Sequence, residues 1–159
     1  MPSPIIRPDE RSFLAAARRA VMATRSPDGL SRLVPICFVV GAQDDELGRP
    51  RLYTPIDEKP KASPDPHSLA RVRDLLVLPE VTVLVDRWSE DWTRLGWLRL
   101  HGRGEILEPQ PHEREEHAIV VAALREKYPQ YAAHDLENRP ILRLTIDRAL
   151  AWGELSTDV

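Results

Sequence analysis

The chain is short of cysteine. Cys37 stands alone among 159 residues, which excludes an internal disulfide and any multi-cysteine zinc site. Glycine is also scarce, at seven against 15 prolines, so rigid turns and interrupted strands are expected in place of flexible linkers. There is no excess of positive charge: 22 Lys and Arg face 25 Asp and Glu, for a net charge of -3. That weighs against a general nucleic-acid binder, which needs a basic face. No run approaches the roughly 20 apolar residues that span a bilayer. Met1 to Glu10 holds three prolines, three charges and no apolar core, unlike a secretory signal. The expectation is a cytoplasmic protein. What remains is ordinary, 42% hydrophobic and 30% charged, enough for one core in one domain over residues 1–159.

Signatures of side-chain catalysis are missing too. His67, His101, His112, His117 and His134 form no His-x-x-x-His pattern, so no metal site is expected. Ser31 and Ser89 lack a nucleophile-elbow context. Gly102-Arg-Gly104 lacks the spacing of a phosphate loop, and Cys37 in an apolar run reads as packing.

The periodic segments give the elements. Asp9 to Ala20 has Phe13, Leu14, Ala17 and Val21 near one helical face, with Asp9 as the expected N-cap. Ala20–Ser26 and Leu33–Val40 flank the turn residues Pro27-Asp28-Gly29 and read as a hairpin of two strands. Pro35 cannot donate to a ladder, so a bulge or a lapse in pairing is expected there, leaving backbone groups free for a ligand. Arg51–Ile56 is a third strand. His67–Leu78 is an amphipathic helix that buries Leu69, Val72, Leu75 and Leu76, bounded by Pro66 and Pro79. Val81–Asp86 and Leu95–Leu107 are strands, the second bent or bulged at Gly102 and Gly104. Glu113–Tyr128 is the longest helix, with Val120, Val121 and Leu124 inward and Pro129 as its stop. Pro140–Ile146 is the last strand, continuing toward Trp152. Six strands with three helices, in an order lacking regular βα alternation, argue for a mainly β (α+β) fold. The expected form is a mostly antiparallel barrel with flanking helices.

Two segments invite a ligand. Tyr53-Thr-Pro-Ile-Asp-Glu-Lys-Pro-Lys61 leaves a strand, breaks at Pro55 and carries Lys59 and Lys61 close together, with Thr54 behind them. Ammonium and hydroxyl donors at such spacing suit a phosphate. A solvated turn neutralised by Asp57 and Glu58 is the alternative. Trp88 and Trp92 sit in a charged loop, where large rings suggest a partner surface; Trp97, on a strand, reads as packing.

Three sets of residues resemble the pyridoxamine 5'-phosphate oxidase-like split β-barrel family. Ala23-Thr24, Pro27-Asp28-Gly29 and Leu33-Val-Pro-Ile36 are similar to its opening hairpin. Leu52–Lys61 is similar to its phosphate-binding strand and loop. Leu84–Trp92 and Leu124–Tyr131 resemble an actinobacterial branch that uses the deazaflavin coenzyme F-420. The resemblance implies a six-stranded antiparallel split barrel and a homodimer with cofactor at the subunit interface. It also implies an oxidoreductase passing hydride between F-420, or alternatively FMN, and a small organic substrate; a non-catalytic cofactor-binding module is the further alternative. By matched positions, Lys59 and Lys61 would hold the cofactor phosphate. Thr54 and Pro55 would line its approach, Val34, Pro35 and Ile36 would flank the tricyclic ring, and Trp152 would cover it. Ala62-Ser-Pro-Asp-Pro-His67 departs from the Arg-rich helix start of the relatives and brings Asp65 toward the phosphate.

Overall fold

A computed structural model describes residues 2–57 and 65–157. In chain order its elements are α1 (Pro8–Ala16), β1 (Ala20–Arg25), β2 (Ser31–Ile36), β3 (Val39–Val40), β4 (Arg51–Pro55), α2 (Ala70–Val77), β5 (Glu80–Arg87), β6 (Gly96–Leu107), α3 (Arg114–Lys127) and β7 (Ile141–Gly153). One seven-stranded sheet runs in the order β2-β1-β5-β6-β7-β4-β3, and its pairings are antiparallel.

The sheet order explains the curl. β2 and β3 are the two edges, yet only Cys37 and Phe38 separate them in sequence. Two residues cannot cross a flat seven-stranded sheet, whose strands lie about 4.8 Å apart. The edges must therefore approach each other, and the sheet closes into a split barrel. The apolar run Leu33–Val40, expected as one strand, is two strands, which raises the count from six to seven.

The lapse in pairing falls at this corner and not at Pro35. The β1–β2 register runs unbroken through Val21↔Pro35 to Ala20↔Ile36. Pro35 is tolerated because β2 is an edge strand, whose outward N–H needs no partner strand. At the corner the Tyr128 hydroxyl takes over the missing ladder. It accepts from the Phe38 N–H at 3.1 Å, and lies within donor reach of the carbonyls of Arg18 at 2.9 Å and Phe38 at 3.2 Å. A buried backbone group left unpaired costs about 1–3 kcal/mol, so one phenol from the end of α3 offsets what the split removes.

Two cores share the sheet. Inside the barrel, Met22, Phe38, Leu52, Val83, Leu98, Leu100 and Leu144 pack with Phe13 and Leu14 of α1 and with Val72 and Leu75 of α2. Outside it, Val120, Val121 and Leu124 of α3 pack with Tyr53, Leu107, Tyr131 and Ile141. Period-2 alternation in β4 does the sorting: Leu52 faces one core and Tyr53 the other. The first helix is shorter than its apolar spacing suggests and starts differently. Arg7, not Asp9, precedes it, and the Glu10 carboxylate reaches back to accept from the Arg7 N–H at 2.7 Å. In α2, Val72 and Leu75 are buried as expected, but Leu76 points outward.

β6 and β7 form the longest ribbon, divided by a bulge between His101 and Gly102. Gly102–Leu107 pair with Ile141–Ile146 on one side of it, and Gly96–His101 with Arg148–Gly153 on the other. Gly102 is required there, because a Cβ would lie 2.0 Å from the Thr145 carbonyl oxygen.

Candidate functional site

Val34, Pro35 and Ile36 end β2, and Thr54 and Pro55 end β4. Val39↔Tyr53 pairs β3 with β4, so the corner at Cys37–Phe38 sets both groups beside the seam. Val34 is half-buried, Pro35 exposed, and Ile36, Thr54 and Pro55 buried. Lys59 and Lys61 lie outside the described residues. Trp152 is not brought to this end of the chain. Thr54 pairs with Leu142, ten residues before Trp152 on β7. At about 3.3 Å per residue, that is roughly 30 Å along the strand. Trp152 is 53% exposed and faces Trp97 across the ribbon.

The seam is held by polar groups from the α3 side. Asp57 is buried just beyond β4 and accepts from the Tyr131 hydroxyl at 2.8 Å. Burial first, then the bonds to Asp57 and Cys37, push the Tyr131 phenol well above its ordinary pKa. Arg139 donates to the carbonyl of Ile56 at 2.7 Å and of Asp57 at 3.2 Å, and the Arg139 carbonyl meets His117 Nε2 at 2.7 Å. Lys127 sits with its Nζ 4.1 Å from the Phe38 ring centre. That nitrogen is buried without a hydrogen-bond partner among the described residues, and burial with nearby Arg18 lowers its pKa to about 8.

The anionic anchor on the other flank is Asp74 of α2. Its Oδ2 accepts from Thr24 Oγ1 at 2.8 Å and from Arg32 Nε at 2.7 Å, tying α2 to β1 and β2. One turn earlier is Arg71, a residue that the sequence pattern did not single out. Its Nε is buried with no partner among the described residues. Burial lowers the Arg71 pKa, and the charge of Asp57 only partly offsets this. A half-buried arginine whose Nε has no partner among the described residues, on the helix that follows the Lys59–Lys61 segment in sequence, is chemically suited to a phosphate oxygen. The available signal was its place in the helix that follows the lysines in sequence. The acid of the departing segment, Asp65, is exposed and accepts from the His67 N–H at 3.0 Å, so its carboxylate is engaged in a local turn.

Trp88 and Trp92, between β5 and β6, are 66% and 72% exposed, while Trp97 is half-buried with Arg99 5.2 Å from its ring centre. Among the described residues, no helix is long and apolar enough to cross a membrane.

Comparison with known proteins agrees with this architecture. A family model described as pyridoxamine 5'-phosphate oxidase matches residues 6–153. No curated protein matches the sequence. Among solved structures, the conserved hypothetical protein Rv2991 from Mycobacterium tuberculosis is similar at 18% identity and a TM-score of 0.66, covering 96% of this chain and 89% of that one. The heme storage protein HutZ from Vibrio cholerae matches at 14% identity and 0.64, covering 95% of each chain. A FAD-binding protein from Mesorhizobium loti matches at 19% identity and 0.57, covering 88% of this chain and 87% of that one. At these identities the likeness is one of fold.

Proposed function

The chain belongs to the pyridoxamine 5'-phosphate oxidase family, and on that premise we propose that it is an oxidoreductase holding a phosphate-bearing deazaflavin, coenzyme F-420, at the seam end of its split barrel. The observation that carries this reading is Arg71, whose buried Nε lacks a partner among the described residues, on the helix that follows in sequence the segment bearing Lys59 and Lys61. Arg71 and the two lysines hold the phosphate. Thr54 and Pro55 line its approach, and Val34, Pro35 and Ile36 flank the planar ring along the edge of β2. Bound there, such a cofactor supplies hydride exchange with a small organic substrate, while the protein orients the ring and keeps water from one face. FMN shares the phosphate segment; the likeness of Leu84–Trp92 and Leu124–Tyr131 to the deazaflavin branch favours F-420.

The reading includes a homodimer. Trp152 lies too far along β7 to reach the seam of its own chain, and in this reading a second copy brings it. Exposed Leu33, Leu84 and Leu150 give the sheet edge and outer face apolar surface for that contact. Titration of the apoprotein with F-420 and with FMN, read by tryptophan quenching, ranks the cofactors; tighter binding of FMN would reassign the enzyme. Binding of F-420 without oxidation of its reduced form across a panel of enones would make the protein a non-catalytic binding module. Light scattering at micromolar concentration should give twice the chain mass, and a monomer contradicts the dimer.

A further inference from the structure

A second cavity, of about 470 Å³, opens where the β3 edge meets α3, and it shares no residue with the site proposed above. Its volume lies within the range of small-molecule pockets. Val39, Val40, Val120, Ile119 and Tyr53 supply an apolar lining, and Ile119 is 67% exposed at its mouth. A large aliphatic side chain this exposed beside a concave wall is surface a ligand can cover.

The polar groups of the cavity set the ligand's chemistry. Arg51 lines it; its Nε is buried with no hydrogen-bond partner among the described residues, so the donors it can offer the cavity are its Nη groups. The nearest acid, Glu116, lies 3.7 Å from Arg51 Nη1 and is already engaged by the Tyr53 hydroxyl at 2.8 Å and by Arg143 at 2.6 Å. Asp44, also in the lining, is engaged by Arg11 at 2.6 Å. The site therefore has one donor group to spare. It does not attract an anion: Arg143 is shared with Glu105 and Glu113, and Glu115 adds an exposed carboxylate at the rim. Nor does it offer a buried, unmatched acid to a cation. We propose that this cavity binds an uncharged, largely apolar molecule bearing a carbonyl oxygen, which accepts from the Arg51 side chain while its hydrocarbon body packs on Val39, Val40 and Ile119.

Three probes of one shape test the charge rule. The ¹⁵N-labelled full chain is titrated with acetophenone, benzoate and benzylamine and followed by its amide spectrum. Acetophenone should shift the amides of Val39, Val40, Gly41 and Ile119 saturably, with the two ions binding at least fivefold more weakly. Arg51→Met keeps the apolar stem and should weaken acetophenone roughly three- to tenfold, the range for losing one hydrogen bond. Ile119→Glu, a surface change that leaves the core intact, should weaken it as well by charging the mouth. No saturable shift at these amides, equal binding of either ion, or unchanged affinity in either variant overturns the proposal.

Discussion

The two halves of the β6–β7 ribbon are made of one continuous pair of strands and have opposite fates. On the seam side of the Gly102 bulge, Ile141, Leu142, Leu144 and Ile146 are buried between the barrel interior and the α3 layer. On the far side Leu150 and Trp152 are left exposed, and β7 there pairs with β6 alone. Among the described residues, the seam end has more polar groups than it can match internally, with spare donors on Arg71 and Lys127. At the ribbon end Arg87 Nε is likewise unpartnered, but its Nη groups donate to the carbonyls of Ser156 and Glu154, and what stays uncovered there is apolar, Leu150 and Trp152. Unmatched donors call for an anion and uncovered rings call for another surface. Under the proposed function, the first is the ligand-holding end of the chain and the second its association end.

The sharpest way to break the contrast is to remove the bulge. Gly102→Ala sets a Cβ against the backbone of Thr145, so the ribbon must shift or slip. A loss of more than about 3 kcal/mol in urea-induced unfolding is expected, because backbone cannot yield as a side-chain tip does. Near-native stability would show that the ribbon tolerates a different register.

Next in size is the seam's spare donor. Arg71→Met should weaken cofactor binding by about 1.5–3 kcal/mol, the range for a hydrogen bond to a charged group, while leaving unfolding stability unchanged or raised. Loss of stability without loss of affinity would make Arg71 structural. Replacing Lys59 and Lys61 together by Ala should cost the same range for each phosphate hydrogen bond that the ammonium groups supply.

Tyr128→Phe removes the hydroxyl that bridges Phe38 at the corner and should destabilise by about 1–2 kcal/mol, measured in the same unfolding experiment. A silent substitution would mean that water satisfies the split equally well.

The smallest effect concerns Lys127, which titrates near 8 in the folded chain against 10.5 for the ordinary amine. Between those values the unfolded chain binds more protons, so wild-type stability should rise with pH across that window. Lys127→Met should be the more stable protein below about pH 8, and its advantage should shrink toward pH 10. Denaturation at about pH 7 and about pH 9.5 measures this; a constant difference would assign the effect to packing.

Much of this was legible in the sequence, and the exceptions have physical reasons. β5, β6 and α3 fall where alternation, the helical spacing of Val120, Val121 and Leu124, and the stop at Pro129 place them. The bulge at Gly102 is likewise where glycine marks it. The corner at Cys37–Phe38 was hidden because an apolar β-branched run looks the same whether it continues or changes edge. What decides it is a tyrosine 90 residues away. Arg71 was hidden because a guanidinium's burial depends on packing that helical spacing does not encode. The distance of Trp152 from the seam follows from strand register, which the sequence does not reveal.

All that is proposed for the seam end depends on its grip on a phosphate-bearing cofactor through Arg71 and the lysine connection. Calorimetric titration of wild-type protein, Arg71→Met and the Lys59/Lys61 double variant with F-420 and FMN decides the matter. Saturable binding is expected, tighter for F-420, with an at least tenfold drop in both variants. Absence of binding to either cofactor, or affinity untouched by either change, would refute that grip.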